Sequence, residues 1–159
     1  MEIRTPKGAC NHQQKPKKNR RSMKILIVDD DLINRKLLKA LLSGFGDCDI
    51  AVNGTEAIEH VNNGLDTKQP YDIVFLDIMM PEMNGHETLQ QIRILEEKQG
   101  VSVGSGTKVV MVTALGDSRN VLAAFSEGAE YYLVKPIHQK KLFDLMDEMG
   151  FFPEDSAAD

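Results

Sequence analysis

Ile73, Val74, Phe75 and Leu76 run without interruption into one carboxylate, Asp77, and the chain then turns through Met80-Pro81-Glu82-Met83-Asn84-Gly85. A short, wholly apolar run bounded by a turn reads as a strand buried on both faces. Strands of that kind belong to parallel sheets covered by helices on each side. Asp77 then stands where the strand leaves the core, at the edge where open α/β sheets place their ligands.

The same form recurs. Residues 23–28 contain the run Ile25-Leu26-Ile27-Val28 and end in Asp29-Asp30-Asp31. Further strands are predicted at 48–52, at 108–112 ending in Thr113-Ala114, and at 130–134 ending in Lys135-Pro136. Between and after them the apolar residues fall at helical spacing. A first helix spans 32–43, with Leu38, Leu41, Leu42 and Phe45 inward and Gly44 and Gly46 as its stop. A second spans 55–61, after a turn at Asn53-Gly54, and ends near Asn62-Asn63-Gly64. A third spans 85–97, with Leu89, Ile92 and either Leu95 or Glu96 inward. A fourth is predicted at 118–127, packing through Val121, Ala124, Phe125 and Gly128. A fifth, 138–149, buries Leu142, Leu145, Met146 and Met149, and order ends at Phe151-Phe152-Pro153. Five strands alternating with five helices predict an α/β fold, a single doubly wound five-stranded parallel sheet with helices on both faces. The loop 99–107 contains Gly104-Ser105-Gly106, which precedes a strand rather than joining strand to helix and so reads as a linker, not a phosphate cradle.

Length predicts one domain with tails. Residues 1–22 carry seven Lys/Arg and one Glu and hold few apolar residues. They are expected to be a disordered basic tail, with Met23 as a candidate working start. Residues 23–150 form the domain and 151–159 a short acidic tail. From residue 23 on there are twelve Lys/Arg against twenty-three Asp/Glu. So acidic a body is not expected to bind nucleic acid and suits a divalent cation. No apolar stretch is long enough to cross a membrane or to act as a secretory signal, so a cytoplasmic protein with no membrane partner is expected. Cys10 and Cys48 fit no metal spacing and are expected to be free thiols.

At the carboxyl ends of the strands stand Asp29, Asp30 and Asp31, then Asp77, Thr113 and Lys135. Parallel strands bring all of these to one edge. Crowded carboxylates repel one another unless a cation intervenes, and Mg²⁺, a hard oxygen-seeking ion, suits them. Asp77 is then a candidate nucleophile toward phosphorus, with the cation and Lys135 offsetting the phosphoryl charge and Thr113 donating a hydrogen bond. Each residue alone has an ordinary reading: Asp31, ahead of Leu32, would serve as a helix cap. Their coincidence at one edge carries the weight.

The motifs Val28-Asp29-Asp30, Leu76-Asp77 with Met80-Pro81-Glu82-Met83-Asn84-Gly85, Thr113-Ala114 and Tyr132-Leu133-Val134-Lys135-Pro136 resemble those of the receiver domain of two-component response regulators. The likeness covers residues 23–150. It implies a CheY-like, flavodoxin-like sheet in the order 2-1-3-4-5 and a phosphorylation switch, not a conventional enzyme. It makes Asp77 the phosphoacceptor. Asp30, Asp77 and the Met79 carbonyl would ligate Mg²⁺, with Asp29 acting through a water. Lys135 would contact the phosphoryl group and precede a cis bond to Pro136. Thr113 and Tyr132 would be the switch pair, reshaping the face formed by the fourth helix, fifth strand and fifth helix. Met79 and Leu115 would tune access of water. The implied partners are a histidine kinase or histidine phosphotransfer protein, an unidentified output protein, and a second copy of the chain if phosphorylation drives dimerisation. No output domain follows Met149, so a stand-alone receiver is expected.

Two other classes make different demands. A Mg²⁺-dependent phosphohydrolase using an aspartyl phosphate needs a second carboxylate two residues after the first, where this chain has Met79. A nucleic-acid binder would have to rely on residues 1–22 alone.

Overall fold

The computed structural model describes residues 22–114 and 128–154. The predicted fourth helix at 118–127, Leu115, residues 1–21 and residues 155–159 lie outside the described residues. The elements run β1 (Met23–Val28), α1 (Leu32–Leu42), β2 (Gly46–Ala51), α2 (Gly54–Asp66), β3 (Ile73–Asp77), α3 (Gly85–Lys98), β4 (Lys108–Thr113), β5 (Tyr131–Val134) and a C-terminal helix (Gln139–Glu148). The five strands form one sheet in the order β2-β1-β3-β4-β5, every neighbouring pair parallel.

The apolar runs become the middle of this sheet because they can be buried on both sides. All five residues of β3 are buried, and so are the last four of β1 and the last five of β4. Alternation along the strands divides the core in two. Ile25, Ile27, Phe75, Val110 and Val112 pack under Leu38 and Leu42 of α1 and Leu142 and Met146 of the C-terminal helix. Leu26, Val28, Val74, Leu76 and Met111 pack under Ala57 and Val61 of α2 and Leu89 and Ile92 of α3. β2 and β5 form the two edges and are only partly buried.

Several boundaries differ from expectation for local reasons. α2 does not stop at Asn62-Asn63-Gly64 but continues to Asp66. Gly64 is buried inside it, where a Cβ would come 3.0 Å from the Gln69 carbonyl oxygen, so this glycine serves a close approach rather than a stop. Asn53 is not a turn residue but the cap of α2, its side chain accepting from the Glu56 N–H. On α3 the buried residue is Glu96 rather than Leu95. Order also continues past Pro153: Phe151 packs against the core, and the Glu154 N–H donates to the Gly44 carbonyl at 2.8 Å.

Candidate functional site

Register brings the polar strand ends together. Val28 pairs with Leu76, and Asp77 with Val112, so Asp29 and Asp77 leave the sheet side by side. Both are buried, whereas Asp30 is exposed. Asp29, Asp30 and Asp77 each offer a carboxylate oxygen within 4.8 Å of the others, which makes them a group able to hold a metal ion. Lys135 closes the cluster from β5. Its Nζ lies 3.3 Å from Asp77 Oδ1 and 3.5 Å from Asp29 Oδ2.

The backbone around each carboxylate is tied down. Asp29 Oδ1 accepts the Asp31 N–H at 2.8 Å, and Asp31 caps α1 by accepting the Ile33 N–H. The Asp29 carbonyl accepts from Arg35 Nη1 at 2.8 Å. Besides Lys135, Asp77 Oδ1 receives a long contact, 3.4 Å, from the Met79 N–H. After β3 the Gly85 N–H donates to the Ile78 carbonyl, and a capping box between Asn84 and Glu87 starts α3. Gly85 has to lack a side chain, because a Cβ would overlap the Asp77 carbonyl oxygen and lie 2.8 Å from Ile78 Cα. On the other side the Lys135 N–H donates to the Thr113 carbonyl at 2.7 Å, and the Lys135–Pro136 bond is cis.

Electrostatics follow from this packing. Burial pushes the Asp77 carboxyl up from 3.8 to about 6, the nearby Asp29 charge pushes in the same direction, and Lys135 pulls it back. Burial pulls Lys135 down, but Asp77 and then Asp29 outweigh it and the net shift is upward. Asp29 Oδ2 is buried with no hydrogen-bond partner. An anionic oxygen in that position is costly unless a cation neutralises it, and one ammonium at 3.5 Å shared with a second carboxylate does so incompletely. The donor set is all oxygen, two groups buried and one open to solvent. It therefore fits a hard divalent ion that keeps part of its water shell.

Thr113 is buried at the end of β4, and its hydroxyl donates to the Ala114 carbonyl at 3.4 Å. Tyr132 pairs with Met111, and Thr113 with Val134, so Tyr132 stands two positions back along β5 from the site end. Its side is turned outward, 42% exposed. The Met79 side chain is 67% exposed beside the cleft. Thus Asp29, Asp30, Asp77 and Lys135 meet directly, Thr113 and Met79 flank them, and Tyr132 stands apart. Sequence reasoning missed Arg35. A signal was available: it is a cation in the first turn of a helix, where carboxylates are favoured.

Residues 25–147 match the family model of the response regulator receiver domain. The two-component response regulator ORR41 of Oryza sativa subsp. japonica is 34% identical over 126 residues, covering 77% of this chain and 91% of the relative. The osmosensing histidine protein kinase SLN1 of Saccharomyces cerevisiae is 29% identical over 133 residues; the match covers 82% of this chain but only 10% of that much longer protein. Among solved structures, the receiver domain of the histidine kinase CKI1 from Arabidopsis thaliana, complexed with Mg²⁺ and BeF₃⁻, superposes with a TM-score of 0.71 at 28% identity. That superposition takes in 82% of this chain and 91% of the other. Fold, paired strand-end aspartates and family match converge, and the chain belongs to the response regulator receiver domain family.

Proposed function

We propose that this chain is a phosphorylation switch that accepts a phosphoryl group on Asp77 from a histidine kinase or histidine phosphotransfer protein. The observation that carries the proposal is the Lys135 ammonium lodged between two buried carboxylates, one of which has an oxygen with no hydrogen bond. Structural ion pairs are seldom built with one cation short. A site that must accept a cation and then a phosphoryl group is built in that way.

Asp29, Asp30, Asp77 and the Met79 carbonyl would hold Mg²⁺, with Asp29 acting through a water. When bound, the ion supplies charge neutralisation for the phosphoryl oxygens. The protein's own groups do the rest. An ionised Asp77 oxygen forms a bond to phosphorus, and the P–N bond to the donor imidazole breaks with its electron pair left on nitrogen. Lys135 moves from the carboxylate pair to the phosphoryl oxygens. The Thr113 hydroxyl, now on a weak 3.4 Å contact, is available to donate to another. Thr113 turning inward would let the outward Tyr132 ring follow and change the surface around β5 and the C-terminal helix; the predicted fourth helix of that face lies outside the described residues. This is a population shift between two packings, read by an output protein or a second copy of the chain.

The surroundings suit a protein donor. Ile33 at the start of α1 is 75% exposed, and Leu32, Leu37, Val52 and Met79 are also exposed. All but Leu37 lie within five residues of a strand's carboxyl end, so apolar side chains stand at the same edge as the acidic cleft. An apolar collar around a charged centre fits a macromolecular partner better than a free small phosphoester.

Intact mass after incubation with Mg²⁺ and acetyl phosphate tests the proposal. One phosphoryl adduct is expected on the wild type and none on Asp77→Asn. Labelling that persists in Asp77→Asn would remove the assignment of Asp77. Absence of both labelling and beryllofluoride binding in the wild type would remove the switch itself.

A further inference from the structure

Arg35 is the fourth residue of α1, at the close of its first turn. The amino end of a helix carries partial positive charge, so a guanidinium there is unfavourable on helical grounds. The side chain instead turns back toward β1. Nη1 donates to the carbonyl oxygen of Asp29 at 2.8 Å, and the residue is half-buried.

That oxygen belongs to the peptide unit joining Asp29 to Asp30. A peptide unit is planar, so holding its oxygen sets the plane and with it the direction in which the Asp30 Cα leaves. The Asp29 carboxylate has a restraint of its own, the Asp31 N–H on Oδ1. Asp30 differs: its carboxylate is exposed, and among the described residues no hydrogen bond holds it. Its place within 4.8 Å of the Asp29 and Asp77 oxygens depends on the backbone alone.

We propose that Arg35 is a positioning residue for the divalent-cation site, acting through the Asp29–Asp30 peptide to aim the Asp30 carboxylate. This rests on the reading of Asp29, Asp30 and Asp77 as a cation site and goes beyond it. Coulomb's law opposes positioning here: a positive charge beside three carboxylates weakens cation binding. Deleting the charge without a positioning role should therefore tighten binding, whereas deleting a positioning bond should loosen it. The sign of the change separates the two.

The test is calorimetric titration of the full chain with MgCl₂, comparing wild type with Arg35→Met, and urea unfolding in EDTA as the fold control. Loss of an outer hydrogen bond of this kind weakens metal affinity about tenfold. A tenfold weaker affinity in Arg35→Met is expected, and in an Asp30→Asn background the same change should have less than about a twofold effect, since the two act as a unit. Unchanged or tighter affinity in Arg35→Met would overturn the assignment, as would a full tenfold loss in the Asp30→Asn background. A structural role alone would lower the urea midpoint and leave the affinity of folded molecules unmoved. Should Arg35→Met not fold without cation, Arg35→Lys carries the test: it keeps the charge and lacks the guanidinium plane, so weaker affinity supports positioning and unchanged affinity overturns it. A wild type that takes up no Mg²⁺ overturns the cation site itself, and this inference with it.

Discussion

Gly85 rests directly on the backbone of Asp77, leaving no volume between the first turn of α3 and the end of β3 for even a methyl group. The contact sets how far α3 stands from the carboxylate edge. Gly85→Ala must push the helix or bend the strand end. Overpacking of this kind costs about 2 kcal/mol. A lower urea midpoint is expected together with slower acetyl phosphate labelling, because Asp77 itself is displaced. Normal labelling with full stability would show that the loop absorbs the methyl.

The raised Asp77 carboxyl makes a signed pH prediction for the cation-free protein. Its ordinary value is 3.8 and its value in the fold is about 6, so between those limits the folded chain binds more protons than the unfolded chain. Stability from this group is present below about pH 4 and is lost as pH rises through 6. Unfolding midpoints in EDTA should therefore fall for the wild type relative to Asp77→Asn across that window, and saturating Mg²⁺ should remove the difference. Labelling at limiting Mg²⁺ should rise over the same interval, because in the proposed reaction only the ionised carboxylate attacks. A flat difference between the two proteins would contradict the burial that causes the shift.

Far from the cleft, Arg93 binds three segments at once. Nη1 bonds the Glu96 carboxylate and the Thr107 carbonyl, Nε and Nη2 bond the Gly128 carbonyl, and Nη2 pairs with Glu130. Glu96 also accepts the Thr107 N–H, and Glu130 accepts the Val109 N–H. Arg93→Met leaves the buried Glu96 carboxylate without its cation, at a cost of about 3 kcal/mol. Replacing Arg93 and Glu96 together by Met should restore part of that, since the isolated charge is then gone. The measurement is the pair of urea midpoints; equal losses in the single and double variants would argue against an uncompensated charge as the cause.

Asn84→Ala removes the side-chain half of the capping box that starts α3, at about 1 kcal/mol. A shift in midpoint at constant denaturant slope is expected. A change in slope would indicate that the cap is needed for α3 as a whole.

How much of this was legible before the structure depended on where each residue's partners lie. β1, β3 and β4 announce themselves because double burial leaves no alternation to misread. Their polar terminators mark the edge at which Asp29, Asp30, Asp77 and Lys135 gather. Gly64 reads locally as a stop for α2, whereas the residues that explain it, Gln69 and Pro70, approach only when the chain folds back. Periodicity does not decide between Glu96 and Leu95, because a buried carboxylate is tolerable only with partners, and these come from Arg93 and the Thr107 N–H. Arg35 escaped for a similar reason: periodicity reports which face of a helix is apolar, not a side chain that reaches back past its own cap.

The Ser22 hydroxyl donates to the Glu154 carboxylate at 2.7 Å, so the first and last described residues touch. They do so at the amino end of β1, roughly 20 Å along the strand from the aspartates at 3.3 Å per residue. The two ends of the described domain thus lie side by side. A host loop or a fusion joined at residues 22 and 154 would therefore meet the domain at the end of the sheet opposite Asp29 and Asp77.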